Sequence, residues 1–324
     1  MVTSPLTQFG YPAAPQQPRR RGAGSLILAV VGIVVLLGAG IAVLNALSGG
    51  SAQAGGYVNE SYTPPAPDLK PPPLPTVTTV AQAQDTVTND AIYAQTVPGP
   101  TQCSIASMNL ATASSPALQT YLTDIVGCLM RVWSGPVSQA GYQLPRPPVV
   151  IYSTPVTTGC GKLQTENAVY CGADQKIYYA TDLPSLLPPE LQSRRFVVET
   201  ILAHEFGHAV QARTGILISF DGLEGQATTT AEKNGWSRRG EMQADCFSGL
   251  FIRSVSKSAG LTQQDLANIT ATIHAVGDDT LSGKATIDGN HGLAANRVYW
   301  VQLGMASTKV SACNTFVAPP DSVR

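Results

Sequence analysis

The hydrophobic pattern along the chain separates a membrane-scale apolar run from a later region of mixed helical and strand periods. Ser25 to Leu47 carries no charge and reaches the roughly 20 residues that a membrane-spanning helix needs. Farther on, Leu118, Tyr121, Leu122, Ile125, Leu129 and Val132 recur at helical spacing, which predicts a helix from about Pro116 to Trp133. The short apolar runs Pro148 to Tyr152 and Lys176 to Ala180 read as strands. Phe196, Val197, Ile201, Leu202, Phe206 and Val210 return to a helical period. Pro188-Pro189-Glu190 reads as the entry to that helix and Thr214-Gly215 as its stop. Further helices are expected from about Arg238 to Val255, from Thr262 to about Val276, and over His291 to Leu303. The order predicts an α+β domain in which a small sheet precedes a set of helices.

Charge and composition orient these pieces. Arg19-Arg20-Arg21 precede the apolar run, and no Lys or Arg follows it until Lys70. The positive-inside rule therefore places residues 1–24 in the cytoplasm as a Pro- and Gln-rich disordered tail, and everything after residue 47 outside. A cleaved signal peptide ending near Ala52-Gln53-Ala54 is the competing reading. The run is longer than the 7–15 apolar residues usual in such signals, which favours an uncleaved anchor at the cell membrane. Residues 48–100, with Pro64-Pro65-Ala66-Pro67 and Pro71-Pro72-Pro73-Leu74-Pro75, are expected to form an extended spacer, leaving 101–324 as one domain. The chain has 20 basic and 21 acidic residues and no basic stripe, which excludes nucleic acid as a partner. All six cysteines follow the apolar run, as suits disulfides in an oxidising compartment. Cys160 and Cys171 bracket a short polar loop and are expected to pair, whereas Cys246 could instead be a buried free thiol.

The chemistry lies in His204-Glu205-Phe206-Gly207-His208. A helix puts residues i and i+4 on one face, so both imidazoles aim at one point. With only four histidines in 324 residues, this spacing rarely arises by chance. Two histidines with a glutamate between them make a zinc site in outline, Glu205 being placed to take a proton from an activated water. A catalytic zinc usually takes three protein ligands. The metzincin pattern would put a third histidine at 214, where this chain has Thr214. Glu241 and Asp245 lie four apart on a later helix instead. Glu241 is the candidate third ligand, and Asp245 the candidate acceptor that sets a ligand histidine's tautomer. Gly207, unfavourable in a helix interior, points to a close approach of another element there, with a tolerated packing glycine as the alternative. His291, followed by Gly292 and near Arg297, is a candidate donor to a developing oxyanion, with helix capping as the plainer reading. Arg297 could pair with an acid such as Asp245. His274 reads as an ordinary surface histidine.

His204 to Gln211, the Glu241-x-x-Ala244-Asp245-Cys246 segment, Val169 to Tyr178, and His291-Gly292 with Arg297 together resemble the bacterial family of putative neutral zinc metallopeptidases, over roughly residues 150–305. The resemblance implies a zincin-like domain of the gluzincin kind, one Zn2+ held by two histidines and a glutamate, and a peptide or protein substrate. In zincins the edge strand nearest the metal holds the substrate backbone by β-addition, and Lys176 to Thr181 is the candidate strand, with an ordinary core strand as the equal alternative. The reading is a membrane-anchored, extracytoplasmic zinc metallopeptidase. A catalytically silent zinc-stabilised scaffold and a zinc amidase acting on cell-wall peptides are the alternatives.

Overall fold

The computed structural model describes residues 56–104, 108–110 and 112–324. The expected tail 1–24 and apolar run 25–47 lie outside the described residues, among which no helix is long and apolar enough to cross a membrane.

The described chain is α+β. In order it forms α1 (Val80–Asn89), α2 (Ser115–Gln139), β1 (Val149–Tyr152), β2 (Val156–Thr158), β3 (Gly161–Leu163), β4 (Ala168–Cys171) and β5 (Lys176–Ala180). Then follow α3 (Val197–Thr214), α4 (Ile216–Gln226), α5 (Thr230–Val255), α6 (Gln263–Ala275), α7 (Asp278–Ser282) and α8 (Ala294–Ala306). The sheet order is β1-β5-β4, with β5 parallel to β1 and antiparallel to β4, while β2 and β3 form a separate hairpin. The candidate substrate strand at Lys176 is therefore the central one. The edge beside α3 is β4, because the reversal at residues 172–175 folds β4 back along the outer side of β5.

The central helix, α3, is buried along nearly its whole length between α2, β4, α4 and α5. It begins later than Pro188-Pro189-Glu190 suggested. The chain turns irregularly to Phe196, whose φ of 64° lies in the left-handed region, and only then enters the helix. At the other end Gly215, φ 82°, supplies the left-handed cap, as the Thr214-Gly215 stop predicts, and the chain passes directly into α4. Helix α5 starts at Thr230 rather than Arg238, with a Thr229–Glu232 capping box. Its first two turns are polar and partly exposed, so no apolar period marks them. Two glycines let α5 and α8 cross closely: a Cβ on Gly249 would stand 2.2 Å from the Val301 carbonyl, and one on Gly304 2.1 Å from that of Cys246.

Residues expected as a free spacer instead join the domain. The Val58 N–H donates to the Pro100 carbonyl, and the Pro72 carbonyl accepts from Gln175 Nε2 and Arg213 Nη1. Helix α1 packs on α4. A proline-rich strand suits such a strap, since it needs few N–H partners and keeps its carbonyls as acceptors. Disulfides join Cys103 to Cys128, Cys160 to Cys171 and Cys246 to Cys313. Cys246 is thus no free thiol, because the C-terminal segment lies against α5 and brings Cys313 within 5.5 Å, Cα to Cα.

Candidate metal centre

Helix α3 presents His204 and His208 one turn apart, and α5 presents Glu241 opposite them. The three side chains form a group that could hold a metal ion, with their donor atoms within 4.8 Å of one another. His204 Nε2 lies 3.2 Å from His208 Nε2 and 3.2 Å from Glu241 Oε2, and His208 Nε2 lies 3.5 Å from Glu241 Oε1. The helices come this close because Gly207 faces Ala244. A Cβ on Gly207 would stand 3.0 Å from the Ala244 Cα, the close approach that a glycine inside this helix suggests.

The histidines' far nitrogens are both engaged. His204 Nδ1 is 2.8 Å from Asp245 Oδ1, and Arg297 holds the same carboxylate with Nε on Oδ2 at 2.8 Å and Nη2 on Oδ1 at 3.0 Å. Asp245 is fully buried, and Arg297 is 5% exposed. His208 Nδ1 is 2.8 Å from Gln211 Oε1. With hydrogen on both Nδ1 atoms, as those neighbouring oxygens suit, both Nε2 lone pairs face the same point. Only a cation or a proton between them relieves that arrangement. Zinc fits it: nitrogens at about 2.0–2.1 Å from a tetrahedral ion stand about 3.3 Å apart.

Electrostatics make the same demand. Burial works against charge on both imidazoles, yet Asp245 and Glu241 hold the His204 pKa up at about 10, while His208 is pushed down to about 4. The pair thus accommodates one positive charge between two nitrogens. Against burial, His208, His204 and His291 hold the Glu241 carboxyl well below its ordinary value, and Arg297 with His204 does the same for Asp245.

Glu205 lies beside this group and outside it. Its Oε2 accepts from the Tyr170 N–H of edge strand β4 at 2.7 Å. Burial, the largest influence, and the neighbouring Glu241 raise its pKa to about 7 against the lowering effect of His204 and the Tyr170 N–H. His291 precedes α8 in a loop, where it exerts a charge effect on Glu241. Its Nδ1 is 3.5 Å from Asp278 Oδ1, and Asp278 Oδ2 accepts the backbone N–H groups of His291 and Gly292 at 2.9 and 2.7 Å. His274 is exposed on α6, with the Thr280 hydroxyl 3.5 Å from its Nδ1.

Three participants escaped the sequence reading. Gln211 lies one turn beyond His208, a spacing that could have marked it, but Gln243 and Asp278 carry no local signal. They reach the site only because α5 and α7 fold against it.

A family model described as "Putative neutral zinc metallopeptidase" matches residues 81–316. The uncharacterized protein YpfJ of Escherichia coli K12 is 32% identical over 203 residues, covering 60% of this chain and 70% of that protein. The uncharacterized proteins Rv2575 of Mycobacterium tuberculosis H37Rv and Mb2605 of Mycobacterium bovis are each 33% identical over 192 residues, covering 53% of this chain and 63% of theirs. No solved structure matches the chain. Because the family match spans most of the chain, the chain belongs to the putative neutral zinc metallopeptidase family.

Proposed function

We propose that this chain is a zinc-dependent peptidase in which His204, His208 and Glu241 hold the metal and Glu205 is the general base. The observation that carries the reading is the division of labour between two glutamates. Glu241 faces both histidine Nε2 atoms, whereas Glu205 stands beside them, tied to the edge strand by the Tyr170 N–H. A bound zinc ion supplies Lewis-acid polarisation of a carbonyl and an acidified water. Glu205 takes the water's proton on a carboxylate oxygen and delivers it to the leaving amine, a task suited to a carboxyl raised to about 7. The outer side of β4 offers backbone groups that align an extended peptide past Glu205. His291, oriented through Asp278, donates to the oxyanion as it develops. Asp245 and Arg297 keep His204 in register and exclude water from its far side.

Glu205→Gln tests this. The amide is isosteric and no metal ligand is lost, so zinc content and thermal stability stay at wild-type levels while peptide hydrolysis falls by about 10²- to 10⁴-fold. Equal cleavage of a library-selected peptide by both proteins would refute the mechanism.

The proposal includes the location. Arg19 to Arg21 before the uncharged run 25–47 supports a single-pass anchor with the domain outside the cytoplasm. Protease added to intact cells should then digest the domain and spare the first 20 residues. A mature chain beginning near Gly55 would show release instead.

A further inference from the structure

Beyond the ligands, a chain of side-chain amides runs from His208 into the protein. Gln211 Oε1 lies on His208 Nδ1, and Gln211 Nε2 lies 2.8 Å from the Gly240 carbonyl and 3.0 Å from Gln243 Oε1. Gln243 Nε2 in turn lies 3.2 Å from the Cys313 carbonyl and 2.9 Å from the Tyr93 hydroxyl. Gln211 and Gln243 are both fully buried.

The direction of every bond follows from the two ends. A backbone carbonyl only accepts. The Cys313 carbonyl therefore requires the NH2 of Gln243, which turns Gln243 Oε1 toward Gln211. That oxygen and the Gly240 carbonyl are both acceptors, and together they use both hydrogens of the Gln211 amide. Gln211 Oε1 is left facing His208, where it can only accept. Turning either amide over would bring oxygen against oxygen in a buried place, at the full cost of an unsatisfied polar group. The far end is itself fixed, since Cys313 is bonded to Cys246, the residue after Asp245. The structures that orient the two histidines thus meet at one crosslink.

We infer that Gln211 and Gln243 form a directional amide relay that locks His208 in its Nδ1–H tautomer and so keeps its Nε2 lone pair on the metal point. Gln211 is a positioning residue, the neutral counterpart of Asp245 on His204. That His208 receives a metal rests on the function proposed above; the tautomer itself does not.

The test separates the two. In full-length protein stripped of metal, under mildly alkaline conditions, ¹⁵N NMR of the histidine rings should show His208 neutral with hydrogen on Nδ1. Gln211→Met, close in length but without polar atoms, should move His208 toward the Nε2–H form and lower zinc affinity in chelator competition by about 10- to 100-fold. Gln211→Glu keeps an acceptor for His208 and should retain the Nδ1–H tautomer even where it costs stability against the Gly240 carbonyl. Hydrogen on Nε2 of His208 in the metal-free wild type would overturn the relay, without needing any variant to fold. So would a Gln211→Met protein with unchanged tautomer and zinc affinity. A wild-type Nδ1–H tautomer together with full zinc affinity in His208→Ala would sink the ligand assignment and leave the relay standing.

Discussion

Asp245 and Arg297, 52 residues apart, form a buried two-point ion pair that also holds His204. A buried charge pair is costly unless all its polar atoms are used. Here Arg297 also donates to the Val276 carbonyl, and Asp245 Oδ1 takes the imidazole hydrogen. Asp245 sets a carboxylate, its charge balanced by Arg297, behind His204, whereas His208 has only an amide behind it.

This ordering sets the consequences of removing each group. His204→Ala, His208→Ala and Glu241→Ala should each abolish or severely weaken the binding of one zinc per chain, read by elemental analysis of purified protein. Asp245→Asn should cost about 10- to 100-fold in zinc affinity. A Glu241→Ala protein with undiminished affinity would remove the third ligand from the site.

His291 should matter to turnover and not to metal. His291→Ala is expected to lower kcat by about 10²-fold, the loss of one oxyanion donor, with unchanged zinc content. Asp278→Asn should act in the same direction with a smaller effect, because Asp278 reaches both the imidazole and the backbone of that loop. Zinc loss in either variant would show that this loop supports the metal instead.

The α5–α8 crossing admits no side chain at Gly304. A Cβ there would stand 2.1 Å from the Cys246 carbonyl, so Gly304→Ala must push the helices apart. A loss of about 1–3 kcal/mol or more in urea unfolding is expected, outweighing the helix propensity that alanine adds. Arg297 lies two turns earlier on the same helix, so zinc affinity should fall with stability.

Glu199 lends the fold a pH dependence of its own. Burial raises its pKa above the ordinary 4.5, more than the hydrogen bond from the Tyr121 hydroxyl, 2.7 Å away, lowers it. The unfolded chain therefore releases this proton first as pH rises, and stability drains away above about 4.5 until the folded group ionises too. Glu199→Gln keeps the bond without the charge. Its advantage over wild type in thermal unfolding should be absent at acid pH and grow with rising pH above that point; a constant difference would exclude the linkage.

What the sequence determined by itself was local. The one-turn spacing of His204 and His208, the glycine stop at 215 and the four-residue step from Glu241 to Asp245 are properties of a single helix, whose period needs no partner. The α+β order and the residues of a group that could hold a metal ion were legible for that reason. Tertiary structure decided what depends on one element lying against another. It made β4 the edge in place of β5 and drew the proline-rich strap onto Arg213 and Gln175. It also joined Cys246 to Cys313 and brought Gln243 and Asp278 to the site. No period announces such residues, because their partners are distant in the chain, and only the packed interior, where each buried polar atom must find its complement, selects them.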